Sequence, residues 1–226
     1  MNIATLLEDS NLKLFSNQYF ELIHGHFKGL NLTAIRDPQN FFEQQVVDSI
    51  YPFLRFQKAH DSLLNSSAVL DLGCGGGVPI LPLAWKFPSL SFLGIDGKKK
   101  KATAVQEMGV MLGLKNVKAM GERMERIYID TANTSVLVKA VGKIEDVLPF
   151  VQSKEKVRVF FYKGSQWEHL EFAQSNRIHN NWKLEEVFKM SFPNLGDRFL
   201  LMYEGTNNTS PNKESILLSK IKMGGE

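Results

Sequence analysis

An acid at position 71 is followed by glycine at 73, 75, 76 and 77, within the stretch VLDLGCGGGVPILPLA (69–84). The apolar run before it reads as a strand, so the barest backbone of the chain lies directly behind a stiff element. Glycine at this density weakens any packed structure. A loop without side chains does, however, let backbone N–H groups and the start of a following helix come close to a ligand. The dinucleotide fingerprint G-x-G-x-x-G fails here, because its third glycine would fall on Val78. The phosphate-cradling P-loop fails as well, since the chain has no Gly-Lys-Ser or Gly-Lys-Thr triplet. An acid followed by G-x-G-x-G is instead a pattern associated with S-adenosylmethionine (SAM). It nominates Asp71, Gly73, Gly75 and Gly77 for the cofactor side.

The next apolar run, SFLGID (91–96), ends at Asp96, about 20 residues after the loop. A carboxylate there can accept the hydroxyl hydrogens of an adenosine ribose. The same side chain can cap a helix over 98–112. Cys74, small and inside the loop, reads as a space filler. His24 and His26 are two apart on an expected helix and face different ways. His169 and His179 have no cysteine or carboxylate at ligand spacing, so no metal site is expected. Trp85, Trp167 and Trp182 read as packing. Phe161 and Tyr162 alternate along a strand, so one belongs to the core and the other can face the mouth of the site.

Methyl transfer comes in several chemistries, and the residues exclude two. Methylating cytosine C5 needs a cysteine nucleophile, and the single cysteine sits in the glycine loop. Methylating an exocyclic amine uses Asn or Asp with Pro-Pro-Tyr after the fourth strand, where this chain reads SVLVKAVGKIED. Guanine N7 already offers a lone pair at neutral pH. Its methylation calls for alignment and exclusion of water rather than a proton acceptor.

The elements that must position these residues follow from periodicity. SSAVLDLG (66–73), SFLGID, VKAM (117–120), SVLVKA (135–140), VRVFFYKG (157–164) and RFLLMYEG (198–205) read as strands, with helices over 79–86, 98–112, 144–151 and 166–175. That alternation predicts a parallel sheet with helices on both faces. WKLEEVFKM (182–190) and DRFLLMYEG (197–205) follow one another without a helix and suggest an antiparallel pair at the sheet's end. Upstream, Leu12, Phe15, Tyr19, Leu22, Ile23 and Phe27 mark one buried helix face, and Asp37-Pro38 starts a helix carrying Phe42, Val46 and Ile50. The expected fold class is α/β, Rossmann-like, of the class I SAM-dependent methyltransferase type, with a mostly parallel seven-stranded sheet. Its parts are a helical N-terminal extension (1–65), the methyltransferase domain (66–204) and a polar tail with a short terminal helix (205–226).

A chain of 226 residues, 43% hydrophobic and 23% charged, suits one large soluble domain with room for an appendage. No apolar stretch approaches the roughly 18 residues of a membrane span, and the N-terminus lacks the basic start of a secretory signal. A single cysteine rules out an intramolecular disulfide and fits a reducing cytoplasm. Net charge is only +3, but DGKKKKA (96–102) concentrates lysine, which permits an anionic partner such as RNA.

Four stretches carry a resemblance: LNLTAIRDP (30–38), VVDSI (46–50), DLGCGGGVPILPLA (71–84) and GLKNV (113–117). In order and spacing, over about residues 12 to 204, the chain resembles the bacterial rRNA guanine-N7 methyltransferases called RsmG or GidB. The resemblance implies SAM-dependent methylation of N7 of one guanine in a conserved loop of 16S rRNA. It places Gly73 and Val78 by the cofactor's methionine and loop side, Asp96 on the ribose, and Met124 with Glu125 beside the adenine. Lys139 falls where the family carries an arginine facing cofactor and substrate, and is the candidate catalytic residue. Lys163 and Arg198 match basic positions suited to RNA phosphate. Asn31, Arg36 and Asp48 belong to motifs on the substrate side, although turn and helix-end hydrogen bonding accounts for Asn31 and Asp48 almost as well. Arg36, the 98–101 lysine cluster with Lys100, Lys139, Lys163 and Arg198 are the residues expected to meet RNA. The implied partner is 16S rRNA or the small ribosomal subunit. The protein is expected to be a cytoplasmic monomer without metal or membrane contact.

The chain also departs from the family pattern. Gln44-Gln45 stand where the family shows Arg-His, Lys139 replaces an arginine and loses its bidentate fork, Gly97 replaces a serine, and Ile80 replaces a glycine. Two rival readings follow: a SAM-dependent methyltransferase of another substrate, and a SAM- or RNA-binding protein without turnover.

Overall fold

The structure is a computed structural model and describes residues 2–171 and 181–223. Strand β1 (Ala68–Leu72) is buried at every position, as a central parallel strand must be. It pairs in parallel with β2 (Phe92–Ile95) on one side and β5 (Thr134–Lys139) on the other. The sheet extends outward to β3 (Val117–Met120) at one edge. At the other edge lie β7 (Val157–Gly164), β9 (Gly196–Gly205) and β8 (Trp182–Phe192), giving the order β3-β2-β1-β5-β7-β9-β8. β9 is antiparallel to both β7 and β8, as the missing helix between the last two apolar runs suggested. The chain leaves β1 toward β2 on one side and returns to β5 on the other. That reversal opens a crevice beyond the carboxyl ends of β1 and β5, where open α/β sheets bind ligands.

Helices α6 (Ile80–Lys86) and α7 (Lys99–Met111) fill the first two crossovers. Asn116, in the turn before β3, fastens this side by donating from Nδ2 to the carbonyls of Ala84, Phe87 and Leu90 at 3.0–3.2 Å.

The helical N-terminal part covers one sheet face. Asp9 caps α2 (Ser10–His24) through its Oδ1, and Leu12, Phe15, Tyr19 and Ile23 of that helix are buried, with Phe27 just beyond it. Asp37 caps α3 (Pro38–Phe41), whose first residue is the proline. The helix does not then run on regularly: Phe42–Val47 form a π-helical turn before α4 (Asp48–Arg55) and α5 (Gln57–Leu64). These side chains share one core with Val69, Leu137, Phe160 and Met202 of the sheet, while Leu70, Val136, Phe161 and Leu201 form the core of the opposite face.

Several details differ from the sequence expectation. The IYI triplet forms β4 (Ile127–Ile129), which pairs with β6 (Gln152–Ser153) and β10 (Ile216–Leu217) in a second, three-stranded parallel sheet. The tail therefore returns to the domain, and its end is a 3-10 turn (Leu218–Lys220) pinned by Ser219 to Asp130. The helix expected over 144–151 is α8 (Ile144–Val147) followed by a 3-10 turn, because Pro149 has no N–H to continue it. The helix expected over 166–175 is described as α9 (Trp167–Leu170), and its last residues lie outside the described part. Among the described residues no helix is long and apolar enough to cross a membrane, and no cluster of side chains could hold a metal ion.

Candidate functional site

The glycine loop is fastened to the end of β2. Gly73 and Cys74 donate backbone hydrogen bonds to the Ile95 carbonyl at 2.7 and 3.0 Å. Asp96 holds the loop from its other side, with Oδ2 accepting from Gly75 N at 2.9 Å and Oδ1 from Lys98 N at 2.8 Å. Asp96 thus closes a turn just ahead of α7 rather than capping it, since the N-cap residue is Lys98 and no side chain caps the helix, and each oxygen keeps a lone pair for a further donor. Gly73 has φ +73°, and a Cβ there would lie 2.6 Å from Val141 Cγ2. Gly77 has φ +91°, and its Cβ would lie 2.8 Å from the Tyr19 hydroxyl, which donates to the Gly76 carbonyl. The glycines are therefore needed as glycines.

In front of the loop lies a cavity of about 430 Å³, lined by Gly73, Gly75, Val78 and Asp96, by Lys98 and Lys101, and by Lys139, Ala140 and Val141 after β5. The helical layer closes it with Ile23, Leu32, Phe41 and Gln45. Ala140 has φ +58°, a conformation an alanine holds only where its surroundings impose it. A bare loop, an ionisable carboxylate at the end of β2 and an apolar wall fit SAM. With SAM bound, Asp96 would take the ribose and the loop the methionine end. Replacing Gly73 by alanine should weaken SAM binding about 10- to 100-fold, an effect calorimetric titration would read directly. An unchanged affinity would place the cofactor elsewhere.

Asp71 lies beneath the loop rather than in the cavity wall. It is fully buried, and neither side-chain oxygen has a hydrogen-bond partner. Burial pushes its carboxyl up to about 8, against smaller opposing pulls from the Ile80 N–H and the Lys139 ammonium. Burial likewise pushes the Cys74 thiol far up, so the one cysteine is an unreactive filler.

A second cavity of about 370 Å³ shares Gln45, Lys139 and Ala140 with the first and adds Asp48, Tyr162, Lys163 and Arg198. Lys139 ends β5, and its Nζ donates to Asp48 Oδ2 at 2.6 Å and to the Gln44 carbonyl at 3.0 Å. The π-helical turn carries Gln44 and Gln45 and leads directly into Asp48. Tyr162 Oη donates to the Ser49 carbonyl at 2.8 Å, a second tie between sheet and helical layer. Lys163 is held by Glu171, with Nζ 2.8 and 2.9 Å from its two oxygens. Arg198 donates to the Asp197 carbonyl at 3.2 Å.

The fold thus gathers Gly73, Gly75, Val78, Asp96 and Lys139 around one cavity, and Lys139, Lys163 and Arg198 around the next. Asp71 and Gly77 support the loop from below. Five further candidates lie outside both. Asn31 sits at φ +48° where a 3-10 turn ends, next to the lining residues Leu32 and Thr33. Arg36 is exposed on the following loop. Lys100 borders an apolar groove with Phe27 and Leu30. Met124 and Glu125 form a half-buried turn beside a third cavity lined by Gly97, Gly121 and Arg123. Gln45, marked in the sequence only as a departure from the family pattern, and Thr33, inside the 30–38 motif, also line the site, as does Phe41, which carried no sequence signal.

Residues 13–200 match the family described as GidB, rRNA small subunit methyltransferase G. The ribosomal RNA small subunit methyltransferase G of Hydrogenovibrio crunogenus is 29% identical over 195 residues, covering 84% of each chain. That of Haemophilus influenzae is 27% identical over 209 residues, covering 88% of this chain and 97% of the relative. In fold the chain is similar to magnesium protoporphyrin IX methyltransferase from Synechocystis PCC 6803 with bound SAM. That structure gives a TM-score of 0.51 at 15% identity, over 90% of this chain and 97% of the other. The matched span runs from α2 through the glycine loop to β9, and the chain belongs to the rRNA small subunit methyltransferase G (GidB) family.

Proposed function

We propose that this protein transfers the methyl group of SAM to N7 of a guanine in 16S rRNA, acting in the cytoplasm as a monomer on the small ribosomal subunit or its RNA. The observation that carries this reading, beside family membership, is a bare-loop cavity sharing a wall with a second, basic cavity. SAM supplies a methyl on a positively charged sulfur; transfer to N7 forms an N–C bond, breaks an S–C bond and moves the charge to the base without releasing a proton. The protein accordingly needs no proton acceptor. Both carboxylates lining the two cavities are committed, Asp48 to Lys139 and Asp96 to the loop. What remains for the chain is orientation and exclusion of water.

In this reading Asp71, Gly73, Gly75, Gly77, Val78 and Asp96 serve the cofactor from the 66–204 domain, with Met124 and Glu125 on the adenine side. Residues 1–65 roof the site and offer Asn31 and Arg36 to RNA. Lys100 and Arg198 meet phosphate, and Lys163 does so by exchanging one of its present acceptors, Glu171 or the Gly142 carbonyl, for it. The tail acts as a strap through Ile216–Leu217 and Leu218–Lys220. Phosphate contacts supply most of the affinity, so RNA binding should fall steeply with salt, by about a factor of ten for each few contacts between 50 and 200 mM. The deciding measurement is chemical mapping of 7-methylguanine in 16S rRNA after incubating unmethylated small subunits with the protein and SAM. SAM binding without 7-methylguanine would favour a different substrate or a binding protein.

A further inference from the structure

We infer that Lys139 is the group that recognises the target base as guanine, by donating a hydrogen bond to its O6 carbonyl, with Asp48 as its positioning residue. The inference rests on the guanine-N7 reading above. An ammonium carries three N–H donors and no acceptor. Two are taken, by Asp48 Oδ2 at 2.6 Å and by the Gln44 carbonyl at 3.0 Å. Tetrahedral geometry then fixes the direction of the third, on a side chain that walls both cavities. The Tyr162 ring centroid lies 5.4 Å from Nζ, a weaker attraction than a carbonyl oxygen offers.

The chemistry of the purine edge supplies the rest. Guanine presents two acceptors side by side, N7 and O6, whereas adenine presents N7 beside an amino donor. N7 must keep its lone pair for the methyl, so the neighbouring atom is what distinguishes the bases. A donor-only group held in one direction donates to O6 and opposes an amine. Gln45 also walls both cavities, but its amide offers either a donor or an acceptor and cannot discriminate by itself.

The test uses small ribosomal subunits reconstituted around 16S rRNA with guanine, 2-aminopurine or adenine at the target position. 2-Aminopurine keeps N7 and lacks O6. The wild-type protein should prefer guanine over 2-aminopurine by about 100-fold or more in kcat/KM. Lys139→Gln, which can present either polarity, should reduce that ratio at least about tenfold, while Lys139→Arg, again donor-only, should retain it. Comparing ratios cancels the intrinsic reactivity of the two bases. Asp48→Asn should lower the ratio in the same direction, which a loss of stability alone does not do. Equilibrium binding of the same subunits without SAM should rank the bases identically, giving a readout independent of turnover. An equal ratio in wild type and Lys139→Gln overturns the inference alone. Failure of the wild type to methylate guanine overturns the guanine-N7 reading and the inference with it.

Discussion

Asp48→Ala is expected to lower the free energy of unfolding by about 3–5 kcal/mol, because it leaves the Lys139 ammonium buried without its counter-ion. The Lys139 side chain is 14% exposed and that of Asp48 7%, so both are largely withdrawn from water although they line the cavity. Truncating one member of such a pair is far more damaging than removing both, since the remaining charge bears the full desolvation penalty. The double replacement Asp48→Ala with Lys139→Met should therefore recover much of the loss, and a double-mutant cycle in urea isolates the coupling. An internal control is at hand in Lys58–Glu186, whose side chains are 50% and 41% exposed at 3.0 Å. Exposed pairs of this kind contribute about 0–1 kcal/mol. If Asp48→Ala costs no more than Glu186→Ala, the buried pair does not hold the helical layer to the sheet.

The second large effect concerns pH and Asp71. Its carboxyl titrates near 8 in the folded chain and near 3.8 when unfolded. Between those values the folded state binds more protons than the unfolded state, so stability falls as pH rises through that window. From pH 5 to pH 8 this amounts to about 4 kcal/mol, at about 1.4 kcal/mol per pH step. Asp71→Asn keeps the shape and cannot ionise. Its stability should stay nearly level over the same range and exceed that of the wild type by several kcal/mol at pH 8. Parallel urea curves at pH 5, 6.5 and 8 decide the matter; identical pH profiles for the two proteins would mean that Asp71 is ionised and compensated in the folded state.

Much of this site was legible in the sequence because its signals are local. The acid–glycine pattern, the strand before it and Asp96 lie within 29 residues, and the apolar face of α2 repeats at helical steps that survive folding intact. Long-range pairings leave no such trace. Nothing near Lys139 announces Asp48, 91 residues earlier. Even the short-range pair of Lys163 with Glu171 is unmarked, because nothing in its residue types selects a carboxylate over RNA phosphate. Strands of two or three residues such as β4, β6 and β10 are defined by their pairing with one another, β4 with β6 and with the returning tail, so a window scanned along the chain passes over them. A helix carrying Phe42, Val46 and Ile50 was legible and all three are buried, yet the widened turn between them was invisible, because no residue type in Phe42–Val47 marks a surplus residue within a helix.

That widened turn has a consequence for how the molecule could have diverged. A regular α-helix advances about 100° and 1.5 Å per residue, so one surplus residue absorbed at Phe42–Val47 rephases everything beyond it against everything before. The rod behaves as two segments clocked separately: the upstream piece faces α2, while the downstream piece aims its carboxylate at the tip of β5. Shortening the chain there by a single residue would yield a smoother cylinder pointing the wrong way, which makes this irregularity the hand that sets the site.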